Sequence, residues 1–145
     1  MLGRVGVGRY AIRLGGGLLE DLHGKDVRQT DFLSLWTSAD RPQMTTAMES
    51  ALRRGQAMVV EADGRTAAGQ SVDFEILLAP MISHTGQVDR FLGLYQPTNS
   101  LSRLLGQPLD RFAVRQIRPL AQIQGAPAPA FPQLRLAALG GRRIA

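Results

Sequence analysis

The stretch Tyr10–Val27, "YAIRLGGGLLEDLHGKDV", decides how the rest of the chain is read. It opens with alternation: Tyr10, Ile12 and Leu14 fall on one face of an extended segment, and Arg9, Ala11 and Arg13 on the other, which is the period of a strand. Gly15, Gly16 and Gly17 then break the pattern. Beyond them Leu18, Leu19 and Leu22 return at helical spacing, with Glu20 and Asp21 outward and Gly24 placed where a short helix stops. Glycines between a strand and a helix make either a phosphate cradle or a tight corner. A cradle needs G-x-x-x-x-G-K-[ST], or G-x-G-x-x-G opening a longer helix in a parallel unit. Neither pattern is present. The glycines therefore predict a corner that turns a sheet strand into a short helix.

Downstream, "TDFLSLWTSADRPQMTTAMESALRRG" predicts a helical turn and then a full helix. Thr30 is placed to cap the turn carrying Phe32, Leu33, Leu35 and Trp36. Asp40 is placed to cap the helix, with Gln43 three residues on as in a capping box and Pro42 tolerated in the first turn. Met44, Ala47, Met48, Ala51 and Leu52 make one face of that helix apolar, and Gly55 ends it. The period then changes to two. "MVVEADGRTAAG" reads as a strand to about Ala62 and a turn at Asp63-Gly64. "SVDFEILLAPMIS" sets Val72, Phe74, Ile76 and Leu78 against Asp73, Glu75 and Leu77, with Pro80 marking a bulge or an edge. "VDRFLGLY" follows the turn "HTGQ" and sets Phe91, Gly93 and Tyr95 against Val88, Leu92 and Leu94. Helices first and antiparallel strands after them imply an α+β fold, with helices packed over one face of the sheet.

A chain of 145 residues, 44% of them hydrophobic, fills one core. No apolar run reaches the roughly 20 residues needed to cross a bilayer, and "MLGRVGVGRYAIR" lacks the apolar segment of a signal peptide. A cytoplasmic protein without a membrane span is expected. With no cysteine, disulfides, thiolate metal sites and thiol nucleophiles are excluded. The net charge is +5 and the pI about 10.9. Residues 1–100 hold 10 Lys+Arg against 11 Asp+Glu, whereas residues 101–145 hold 7 Arg against Asp110 alone. The body is close to neutral and the end is basic, so nucleic-acid binding is not expected of the body. From Pro97 the periodicity weakens. "GAPAPAFPQ" reads as an extended proline-rich spacer, and residues 121–145 as a basic, disordered tail.

The succession "RYAIRLGGGLLEDLHGKDVRQTDFLSLW", a helix, "GRTAAGQSVDFEILLAPM" and "VDRFLGLYQP" resembles a PAS-like family of small single-domain bacterial proteins common in alphaproteobacteria. Arg13, Leu14, Gly16, Leu19, Leu22, Gly24, Phe32, Leu35, Trp36, Leu77, Leu78, Pro80 and Gly93 carry the resemblance, which covers about residues 5–97. It implies a PAS-like five-stranded antiparallel sheet with short helices cupped over one face, its first strand drawn from "RVGVG". Residues 1–97 would form the domain and 98–120 an extension packing on the sheet. The cup implies a ligand cavity lined by Leu19, Leu22, Leu35, Trp36, Met44, Met48, Phe74 and Phe91.

PAS domains bind haem, flavins, small metabolites or nothing. Haem asks for an imidazole on the long helix, which offers Met44 and Met48 instead. A photoactive flavin adduct asks for a cysteine. His23 at a helix end and His84 in a turn read as structural or solvated, without a second ligand for a metal. Ser34, Ser71 and Ser83 have no base and orienting acid in the pattern. No cofactor, metal or catalytic residue is expected. The reading is a non-catalytic sensory or interaction module of bacterial signalling, acting through a signalling partner or a homodimer and leaving room for a small-molecule ligand. The alternative is an adaptor whose basic tail docks on nucleic acid, an acidic protein or a membrane surface.

Overall fold

The computed structural model describes residues 1–121 and the backbone of two short paired segments, Ala138–Leu139 and Arg142–Arg143. The expectations for the spacer and the tail otherwise lie outside the described residues.

A hairpin of β1 (Leu2–Gly6) and β2 (Arg9–Ile12) comes first, then α1 (Gly17–His23), a 3-10 turn over Phe32–Leu35, and α2 (Arg41–Arg54). Three long strands follow, β3 (Met58–Thr66), β4 (Ser71–Ile82) and β5 (Val88–Pro97), and a second 3-10 turn over Leu101–Leu104 leads to β6 (Leu109–Pro119). The glycine corner is where the sequence places it. Gly24, at φ 62°, ends α1 in the left-handed conformation that a side chain resists.

All six strands form one antiparallel sheet in the order β2-β1-β5-β4-β3-β6. The expected five strands are present, and the extension adds a sixth at the β3 edge rather than lying over the sheet. Alternation sorts the central strands as the sequence predicts. Val72, Phe74, Ile76 and Leu78 of β4 are buried beneath the helices together with Phe91 of β5 and Met44, Met48, Ala51 and Leu52 of α2. Pro80 pairs with Phe91 on one side, and β3 begins only at Met58, opposite Leu78, so no ladder bond from β3 is lost at the proline.

Three local expectations are corrected. β3 does not turn at Asp63-Gly64 but runs through to Thr66. A Cβ on Gly64 would lie 2.8 Å from the Phe74 ring and 3.0 Å from that of Phe112, so this glycine marks a close approach inside the sheet. Asp31, not Thr30, caps the first 3-10 turn, accepting from Leu33 N–H. Asp40 makes no side-chain cap on α2; its carboxylate is used elsewhere.

One short segment seals both outer edges of the sheet. On β2, Ile12 N–H donates to Thr30 C=O at 3.0 Å, and Gln29 N–H donates to Ile12 C=O at 2.8 Å. On β6, Thr37 N–H donates to Phe112 C=O at 2.8 Å beside a parallel bridge of Trp36 to Phe112. The turn between Gln29 and Thr37 therefore spans from the first edge strand to the last, and each edge gains partners that blunt it.

Candidate functional site

The interior beneath the helices is closed by aromatic rings. Phe112 of β6, fully buried, lies 5.3 Å from Tyr95, 5.4 Å from Phe74 and Trp36, and 5.9 Å from His23, measured between ring centroids. All but the tilted Trp36 contact are edge-on, and such contacts add to plain burial. Polar atoms inside this cluster lack partners: both ring nitrogens of His23, Nε1 of Trp36 and the hydroxyl of Tyr95. Burial pushes the Tyr95 hydroxyl's pKa up and that of His23 down, so both groups are held neutral.

A separate apolar pocket of about 170 Å3 opens between α1, the β1–β2 hairpin and β5. Its walls come from Ile12, Leu19, Phe32, Leu78 and Tyr95, and Leu14, Leu18 and Leu94 stand exposed among its lining residues. The strand pairing explains the space. β1 meets β5 only at Leu2 and Gly3, opposite Phe91 and Arg90, so beyond Phe91 a pocket takes the place of a neighbouring strand.

The open face of the sheet carries a different chemistry. Val59, Leu77 and Leu94 stand in one cross-strand row, with Ala79 and Leu92 in the next. Leu92 is 56% exposed and Leu94 57%. Charged pairs border the apolar part: Arg118 reaches Glu61 at 3.5 Å and Glu75 at 3.4 Å, and Arg115 reaches Asp73 at 2.5 Å. Much of the basic charge of the extension is thus spent on acidic groups of the body.

A family model described as PAS domain matches residues 1–96. The chain belongs to the PAS domain family. No curated protein and no solved structure matches it. The PAS match ends at residue 96, one before the end of β5, so β6 and its Phe112 stand outside it.

Of the eight residues proposed for a PAS cavity, Leu19 lines the pocket. Leu22, Leu35, Trp36, Met44, Met48, Phe74 and Phe91 pack into the closed core. Sequence reasoning missed Ile12, Phe32, Leu78 and Tyr95 as pocket walls, although their alternation was visible; what it lacked was the early end of the β1–β5 ladder. Among the described residues no group of three His, Asp or Glu is placed to hold a metal, and no helix is long and apolar enough to cross a membrane.

Proposed function

We propose that this PAS domain is a non-catalytic sensory or interaction module of bacterial signalling that acts through a partner protein or a second copy. The observation that carries the reading is the open sheet face, where Leu92 and Leu94 are exposed in continuity with Leu77 and Ala79. An apolar patch rimmed by charged pairs is what an interaction surface presents. The pocket beside Tyr95 supports a second part of the reading, that a small apolar molecule is the sensed ligand.

Native mass spectrometry of the whole chain tests both parts, since it reads bound ligand and oligomeric state together. The expected result is a dimer or a retained apolar ligand, with Leu94→Glu abolishing the dimer. A chain that stays monomeric and empty at high concentration, and exposes no apolar surface to a hydrophobic dye, would overturn the reading. The adaptor alternative rests on a tail outside the described residues. Association driven by that tail would weaken steeply with salt, whereas docking on Leu92 and Leu94 would not.

A further inference from the structure

His23 sits in the last turn of α1 beneath β6, 4% exposed, with both ring nitrogens unpartnered. Burial among the elements packed on it is the main effect, and it disfavours the charged ring. From β5 comes the Tyr95 ring at 6.3 Å, and from β6 the Phe112 ring at 5.9 Å. The Leu109 backbone favours the charged form without a hydrogen bond of normal geometry, and Lys25 disfavours it with a like charge. No carboxylate contributes to stabilising a charge there.

The strand above His23 is paired with β3 from Leu109 to Pro119, and it is joined to the helical layer by few polar bonds. Phe112 C=O accepts from Thr37 N–H at 2.8 Å, and Val114 N–H donates to Asp40 Oδ2 at 3.0 Å. Separating β6 from this layer would give water access to the Trp36 Nε1 and Tyr95 hydroxyl that now lack partners. Such hydration offsets part of the apolar exposure. The family match ends before β6.

We propose that β6 is an acid-releasable latch, in which protonation of His23 frees the strand from α1 and from the Trp36–Asp40 loop while β1–β5 stay folded. In the closed state the imidazole is buried and neutral; in the open state it meets water and takes up a proton. Below about pH 6.5 the open population should rise about tenfold per pH unit, the slope of one proton, until the closed state itself protonates. Release would uncover the aromatic cluster and change the surface that this edge of the sheet presents.

Deuterium exchange of the full chain between about pH 7.5 and about pH 5 tests this, with each amide corrected for its intrinsic rate. Exchange at Val114, whose N–H is held by Asp40, is expected to increase with acid while Val72–Leu78 of β4 stays protected. Trp36 is the chain's sole tryptophan and lies against Phe112 at 5.4 Å, so its fluorescence should follow the same transition. His23→Leu is expected to abolish the pH dependence and His84→Gln to preserve it. The proposal fails if β6 and β4 open in step, if β6 opening does not depend on pH, or if the dependence survives in His23→Leu. Should that variant not fold, the comparison of β6 with β4 in the unaltered chain still decides.

Discussion

Two carboxylates, Asp40 at the start of α2 and Glu49 in its second half, tie opposite edges of the sheet to the same helix, and they do so differently. Glu49 holds the β1–β2 hairpin: its Oε1 accepts from Tyr10 O–H at 2.6 Å and Gly8 N–H at 3.3 Å, and Arg4 closes on both oxygens at 3.1 Å. Asp40 holds β6: it accepts from Thr37 O–H at 2.6 Å, the Gln43 amide at 2.9 Å and Val114 N–H at 3.0 Å. One knot contains a cation and the other is built from neutral donors. For both, burial raises the carboxyl pKa, but the hydrogen bonds, with the charge of Arg65 near Asp40 and of Arg4 beside Glu49, outweigh it and leave each group below its ordinary value. The hairpin edge, with its cation in direct contact, is therefore expected to be more sensitive to salt than the β6 edge, whose direct donors are neutral.

The largest break in this comparison comes from Phe112→Ala. The ring is fully buried among four aromatic neighbours, and its loss should cost about 3–5 kcal/mol, read from urea unfolding. A cost below about 1 kcal/mol, typical of a surface position, would show that β6 is not part of the core. Asp40→Ala should cost about 1–3 kcal/mol, because Val114 N–H loses its acceptor, and added salt should change that cost little. Glu49→Ala should cost a similar amount at low ionic strength and measurably less in salt, since salt already weakens the pair with Arg4 that the substitution removes. The pH dependence follows from the depressed values. Each carboxylate stabilises fully above its ordinary value, 3.8 for Asp40 and 4.5 for Glu49, and the contribution disappears as pH falls through the lower folded value. Acid titration of each variant against the unaltered chain checks this: the gap in stability should close below those values.

The sequence made the central sheet legible because β3, β4 and β5 keep a regular pleat there, so Phe74, Ile76 and Leu78 announce their face. β6 was not legible, and its register shows why. Its inward residues are Leu109, Phe112, Val114 and Ile117, opposite Thr66, Gly64, Ala62 and Val60. Bulges at Arg65/Thr66 and Glu61/Ala62 insert Asp110 and Arg115, so the spacing runs three, two, three and matches neither a strand nor a helix. Gly64 misled in the same region, since a glycine after an aspartate reads as a turn, while here the missing Cβ makes room for two rings. Asp40 and Gln43 are hydrogen-bonded to each other as side chains, a capping-box sequence put to tertiary use. For the candidate cavity, apolar spacing reports which residues turn inward, not whether space remains between them.

The smallest effect is expected on the open face, at Arg118. Its register partner Val59 lies in the row that continues through Leu77 to Leu94, and its guanidinium reaches Glu61 and Glu75, which stand directly opposite each other on β3 and β4. Both ion pairs are substantially exposed, so the attraction alone should contribute no more than about 1 kcal/mol. Removing the cation has a second consequence, because two like charges facing across a ladder repel by a few tenths of a kcal/mol, roughly 0.2–1 at most. Arg118→Ala should therefore lower stability by about 1 kcal/mol at low ionic strength and by less in salt. Arg118→Met keeps most of the apolar stem over the sheet and separates the two contributions. If methionine restores the loss and salt leaves the alanine cost unchanged, the stem is what stabilises this edge. If methionine behaves as alanine does and salt erases both costs, Arg118 acts through charge, and the β6 edge would then carry a cation-dependent contact on its open face as the hairpin edge does through Arg4.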